Sequence, residues 1–239
     1  MRRAILSIIL LVVSTLAFAS PANAYACGSV FNYRGYDFAS GVTTAKGVKS
    51  VIQLPASGAI TGVAAGRGPS AADVYLISGG DFVQAGWYVG DTSTGLPFTT
   101  TPRFWVGEYY PGQPGNEILR AGPALSWGSA HTVTISFASA AGVYEFYLDG
   151  VYKFKTLRVH FNQAQAAFNG EIDYACLRMD ARAQLAPAAP TLQYATFGTG
   201  GTVWHNFVDS RGTVTSGGVT IVSTSAGSTA SDYSYGGGS

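Results

Sequence analysis

Apolar side chains in this chain recur every second residue, and no long window carries the spacing of three and four that a helix needs. Residues 131–137 alternate strictly, placing Val133, Ile135 and Phe137 on one face. Residues 143–148 and 151–155 repeat the pattern on either side of Asp149-Gly150, a dipeptide suited to a tight turn with positive φ at both positions. The same reading expects strands at 48–54, 73–77, 82–89, 103–110, 157–161, 172–177, 192–197, 203–208 and 219–222. Residues 162–168 have room for one or two helical turns. Many short strands separated by Gly, Pro, Asn and Ser predict an all-β sandwich or closed barrel.

Charge narrows the function classes. Charged residues are 11% of the chain and aromatics 13%, too apolar and aromatic a mixture for disorder. A positive start at Arg2 and Arg3, an apolar run over 4–18 and Ala22-Asn23-Ala24 read as a secretory signal, residues 1–24. Without Arg2 and Arg3 the chain carries 12 basic and 13 acidic side chains, so no basic field exists to hold nucleic acid. The apolar run is short for a membrane span, and the expected product is secreted, extracellular and without stable membrane insertion. In that compartment Cys27 and Cys176, the only cysteines, are expected to pair as a disulfide. Segment 25–47 then opens the mature chain, 48–223 forms a single β-sandwich domain, and 224–239 reads as a flexible Ser/Gly-rich tail. The Ala/Pro run at 185–190 is a connection within that domain, because too few residues follow it to build a second core.

Common catalytic signatures are missing. His131, His160 and His205 lie in or beside strands, and no G-x-S-x-G elbow accompanies them, so a serine triad is not expected. No metal-ligand spacing occurs, and no metal or cofactor is expected. The carboxylates say more because Glu occurs only at 108, 117, 145 and 171. Glu108 interrupts an aromatic strand and shares a face with Phe104, Val106 and Tyr110. Gln84 sits mid-strand with Phe82, Gly86 and Tyr88 on its side, and Glu171 shares a face with Asp173. A lone amide among aromatic residues and a glycine suggests an aromatic-walled groove.

Three segments, in order, resemble a known family. Val83-Gln84-Ala85-Gly86-Trp87 is similar to the Q-T-G segment of eqolisins, the secreted glutamic peptidases. Trp105-Val-Gly-Glu108-Tyr-Tyr-Pro111 resembles their W-Y-E-W-Y-P strand, and Asn169-Gly170-Glu171-Ile172 their N-A-E-W-I strand. Ala85, Val106, Gly170 and Ile172 depart from that pattern, and Gly-Glu-Ile is similar to the corresponding strand of neprosin-type glutamic peptidases. The resemblance implies a concanavalin-like double β-sandwich of antiparallel sheets. It implies a Gln84/Glu171 catalytic dyad, with Glu171 as general base and then acid, and Gln84 as donor to the oxyanion. Glu108, Trp105 and Tyr110 would contact or orient a polypeptide substrate. The implied enzyme works at acid pH without a cofactor; the chain is separately expected to be a monomer.

A second reading takes the same sandwich as a non-catalytic, lectin-like module. Its exposed rings, Trp87, Trp105, Tyr109 and Tyr110, would stack on glycan or on a surface partner.

Overall fold

The computed structural model describes residues 30–39, 41–66, 69–91, 95–112, 116–158, 161–174, 178–179, 192–207, 214–215, 219–226 and 229–237. The expected signal segment, Cys27, Cys176, His160 and the 185–190 connection lie outside the described residues. All regular structure among the described residues is β. The chain opens with β1 (Val30–Phe38), β2 (Gly47–Gln53), β3 (Ile60–Thr61), β4 (Ser70–Ser78), β5 (Asp81–Gly90) and β6 (Thr99–Tyr109). It continues with β7 (Glu117–Ala124), β8 (Ala130–Ala138), β9 (Val143–Leu148), β10 (Val151–Lys155) and β11 (Gln165–Tyr174). Last come β12 (Arg178–Met179), β13 (Leu192–Gly198), β14 (Gly201–Asn206), β15 (Val214–Thr215), β16 (Val219–Ala226) and β17 (Thr229–Gly237).

These strands build a double sandwich of antiparallel sheets. One sheet has seven strands in the order β15-β1-β11-β4-β5-β6-β7, and the other has six in the order β10-β9-β8-β2-β13-β14. A four-stranded sheet, β16-β17-β12-β3, touches β1 and β11 and reaches β13 through β17. Alternation decides what lies between the two large sheets. Val74, Leu76, Val83, Trp87, Phe104 and Phe168 point inward from the first, and Val48, Ile52, Ile135, Tyr144 and Phe146 meet them from the second. Burying each such side chain contributes about 1.5–3 kcal/mol. The hairpin at Asp149-Gly150 forms as its sequence demands, with φ of 52° and 74°.

Several local expectations differ from the structure. Residues 165–168, read as room for a helical turn, are the start of β11, where β1 and β4 on either side satisfy the backbone. Segment 25–47 supplies β1, an interior strand of the seven-stranded sheet. The stretch read as a tail contains β17, paired with β16 from Val219↔Gly236 to Ala226↔Thr229.

One buried carboxylate ties the sheets together. Glu108 is fully buried on the inward face of β6 and accepts hydrogen bonds from Tyr110 Oη at 3.0 Å and Arg120 Nη2 at 3.2 Å. It also accepts from the Leu157 backbone N–H at 3.0–3.1 Å, just past β10 of the other sheet. Arg120 spans the same gap, donating to Lys155 O at 2.7 Å. Arg120→Met is therefore expected to destabilise the fold by roughly 3 kcal/mol, because it strands a buried anion. Urea midpoints of the two proteins check this.

Tyrosines set an upper pH limit. The hydrogen bond to Glu145, then burial, raises the Tyr147 phenol to about 12 from an ordinary 10.0. Burial also raises Tyr88 and Tyr144, and burial with the Glu108 charge raises Tyr110. A raised phenol keeps its proton longer in the folded than in the unfolded chain. Its contribution is therefore complete below pH 10 and is lost as pH rises toward 12 and beyond. Melting temperature should fall steeply over that range, which thermal melts at stepped pH check.

Candidate functional site

The face of the seven-stranded sheet turned away from the six-stranded sheet carries an unusual stripe. Register fixes its membership, because residues directly opposite in antiparallel strands share a face. Asn169 on β11 pairs with Asp73 on β4, and Asp73 pairs with Gly86 on β5. Glu171 pairs with Ala71, and Gln84 pairs with Tyr75 on one side and Gly107 on the other. Glu171, Asp73, Asn169 and Gln84 thus lie on one face, in a diagonal line across β11, β4 and β5. They are 4%, 0%, 0% and 2% exposed, so polar groups have been removed from water here on a face that the main core does not use.

Apolar patches bound the stripe. At one end Ala71, Tyr88, Leu96 and Trp105 pack together, and the loop after β5 is held down by Tyr88 Oη donating to Pro97 O at 2.9 Å. At the other end Tyr75, Phe82 and Ala167 pack with Tyr109. Phe82 stacks on Tyr109 with centroids 5.0 Å apart and planes at 8°. Trp105 donates its Nε1 proton to Trp87 O at 3.2 Å.

Two glycines make the stripe possible. A Cβ on Gly86 would lie 2.0 Å from Ala72 O and 2.7 Å from Asp73 Cβ, so only glycine lets Asp73 occupy this place. A Cβ on Gly107 would meet Gln84 Nε2 at 2.8 Å and Cγ at 3.0 Å, which means the Gln84 amide lies across Gly107. Asn169 Nδ2 donates to Asp73 Oδ2 at 2.9 Å. The buried acceptors Gln84 Oε1 and Asn169 Oδ1 have no hydrogen-bond partner, a costly condition that a ligand donor would relieve.

The structure brings some expected site residues together and separates others. Gln84, Glu171 and Trp105 share the outer face. Gln84 and Glu171 nevertheless stand two strands apart. Two spacings of about 4.8 Å across and four residues of about 3.4 Å along put their Cα atoms roughly 16 Å apart. Glu108 and Tyr110 are not on this face, because Val83, an inward core residue, is the one that pairs with Glu108. Glu108 is committed to the inter-sheet joint, and Tyr110 lies beside it with the Arg158 guanidinium 4.7 Å from its ring. Of the rings expected to be exposed, Trp87 is buried in the main core, Trp105 and Tyr110 are covered by their neighbours, and Tyr109 is half-buried.

Asp73 belongs to none of the sequence motifs, and Asn169 enters them only as the residue that opens Asn169-Gly170-Glu171-Ile172. Asp73 is a charged residue in the middle of an otherwise apolar strand, Ser70–Ser78, and that interruption was the available signal. Asp73 also lies diagonally from both Glu171 and Gln84, at about 7 Å in such an arrangement. Among the described residues no three His, Cys, Asp or Glu side chains gather as a metal site. Among the described residues there is no helix long and apolar enough to cross a membrane, which says nothing of a β-barrel.

No family model and no curated protein sequence matches this chain. Solved structures with a similar course of strands include Scytalido-glutamic peptidase bound to a peptide-based transition-state analogue. That likeness is at 12% identity, covers 86% of this chain and 99% of that one, and has a TM-score of 0.47. SCP-B, a member of the eqolisin peptidases in complex with the tripeptide Ala-Ile-His, is similar at 12% identity and a TM-score of 0.46, with the same coverage of each chain. A glycoside hydrolase family 16 endo-glucanase from Bacteroides ovatus is similar at 11% identity and a TM-score of 0.40, over 62% of this chain and 69% of that one.

Gly86→Ala is expected to destabilise the protein by at least about 2 kcal/mol, because its methyl group meets backbone rather than a movable side chain. A thermal melt of the variant beside Gly107→Ala checks this. The Gly107 change displaces the end of a flexible Gln84 side chain and should cost markedly less.

Proposed function

We propose that this outer face is the substrate groove of a secreted glutamic endopeptidase acting at acid pH on extended polypeptides, as a monomer. The observation that carries this reading is the stripe itself: two carboxyl side chains and two amides, nearly fully buried, on one sheet face between two apolar patches. Glu171 serves as general base, taking a proton from the attacking water and returning it to the leaving amide nitrogen. Gln84 donates from Nε2 to the oxyanion that forms on the scissile carbonyl. In the present arrangement that nitrogen rests over Gly107, so Gln84 must turn toward β4 for both groups to reach one peptide bond. Asp73, held by Asn169 and diagonal to both, positions them and is not the base.

The position of the Gln84 amide, turned from Glu171, favours a second reading. The face is then a non-catalytic, lectin-like surface, with open acceptors and rings that bind glycan or a surface partner.

Digestion of a denatured protein by the purified chain, from acid to neutral pH, separates the two. The peptidase reading expects cleavage at acid pH that chelators and serine reagents do not stop. It expects a loss of at least about 100-fold in Glu171→Gln and a large loss in Asp73→Asn. Undiminished cleavage by Glu171→Gln sinks the dyad. Absence of cleavage from the folded chain, with binding to a glycan array, establishes the second reading.

A further inference from the structure

The six-stranded sheet holds a constellation that the carboxyl stripe does not use. Ser129 immediately precedes β8, His131 is the second residue of that strand, and Asp149 sits at the tip of the neighbouring β9–β10 hairpin. Ser129 Oγ lies 2.8 Å from His131 Nε2, and His131 Nδ1 lies 2.7 Å from Asp149 Oδ2. That is nucleophile, base and orienting carboxylate in working order, each on the correct ring nitrogen. Asp149 is itself fixed, because its Oδ1 accepts the Thr132 backbone N–H at 2.8 Å. The His131 and Asp149 side chains are 20% and 50% exposed, so a solvent-borne reagent can reach the group.

We infer that Ser129, His131 and Asp149 form a second, surface nucleophilic site that accepts acyl groups from activated esters. The sequence showed no sign of it, since no nucleophile elbow surrounds Ser129 and Asp149 reads as a turn residue.

Two features define the substrate class. Ser129 Oγ also lies 2.6 Å from Ser126 O, so its single proton must leave that carbonyl for His131 Nε2 before attack. Adjacent backbone donors are taken: Gly128 N–H bonds Pro55 O at 2.9 Å and Ser129 N–H bonds Ser126 O at 3.2 Å. With those donors occupied, neither supports an oxyanion, and the site suits esters with good leaving groups such as aryl esters rather than amides. In the reaction Oγ bonds to the acyl carbon as its proton passes to Nε2. The C–O bond to the aryl group then breaks, and the aryloxide takes the proton from Nε2. Water hydrolyses the acyl-serine by the same proton route and releases the carboxylic acid.

The test exposes the purified chain to p-nitrophenyl acetate and, separately, to a fluorophosphonate probe, with the adduct located by mass spectrometry. Expected results are p-nitrophenol release and an adduct on Ser129, both absent in Ser129→Ala. His131→Gln should lower both rates by at least about 100-fold. Asp149→Asn keeps the turn, since asparagine tolerates positive φ and its carbonyl can still accept from Thr132 N–H. It should leave the melting temperature in place while cutting the ester rate at least about tenfold, an effect that a purely structural aspartate does not produce. His205→Gln, which removes another imidazole of the same sheet, one bonded to Thr196 Oγ1 at 2.8 Å, should react as the parent does. Absence of an adduct on Ser129, or ester hydrolysis undiminished in Ser129→Ala, overturns the assignment.

Discussion

Asp73 lies in the middle of the seven-stranded sheet, fully buried on a face that the main core does not cover, and the residue opposite it has no side chain. That close approach constrains everything around it. Gly86 lets β5 press against β4 at this point, within 2.0 Å of a hypothetical Cβ, and Asn169 supplies the amide that bonds the carboxyl from the other side. Burying a carboxyl group without such a donor costs several kcal/mol. Once β11, β4 and β5 are locked in this register, Glu171 and Gln84 have no choice of face. Both must join Asp73, and the stripe follows from a single pairing.

Glu108 shows the opposite use of the same residue type. Its carboxylate accepts from a cation, a phenol and a backbone N–H, which occupies the lone pairs that a general base would need. The reward is mechanical. Leu157 and Lys155, at the end of β10, are fastened to β6 and β7 across the gap between the sheets. Arg120 reaches over Phe154 to do this, its guanidinium carbon 5.1 Å from the ring centre, so the ion pair sits on an apolar shelf. The sandwich is closed at this edge by charge and elsewhere by hydrocarbon.

Alternation within each strand was legible in the sequence, and it assigned faces correctly. Phe104, Val106 and Glu108 do share a side of β6, and Phe82, Gln84 and Gly86 do share a side of β5. What alternation cannot supply is which side of one strand meets which side of the next. A shift of a single residue between β5 and β6 would have placed Glu108 beside Gln84. The observed register, Gln84↔Gly107, sets them on opposite faces. The Asp149-Gly150 turn was legible because it is local chemistry. β17 was not, because a Ser/Gly-rich strand carries little apolar signal and takes its order from β16 beside it. Ser129, His131, Asp149 and Asp73 are each ordinary in their own segment and acquire meaning only from a neighbour brought alongside.

The two candidate sites differ in how they treat water, and this bears on what each can do. The carboxyl stripe is walled by Tyr75, Phe82, Tyr88 and Trp105 and nearly closed to solvent. A charge that forms there is stabilised by fixed dipoles that need not reorganise, and small displacements of Gln84 matter greatly. The Ser129 group is half open, with its carboxylate in contact with water. There the imidazole gains orientation from Asp149 but little from a low dielectric, which limits it to substrates already disposed to react. One fold therefore holds a dry polar face and a wet polar edge, each set by which strand lies beside which.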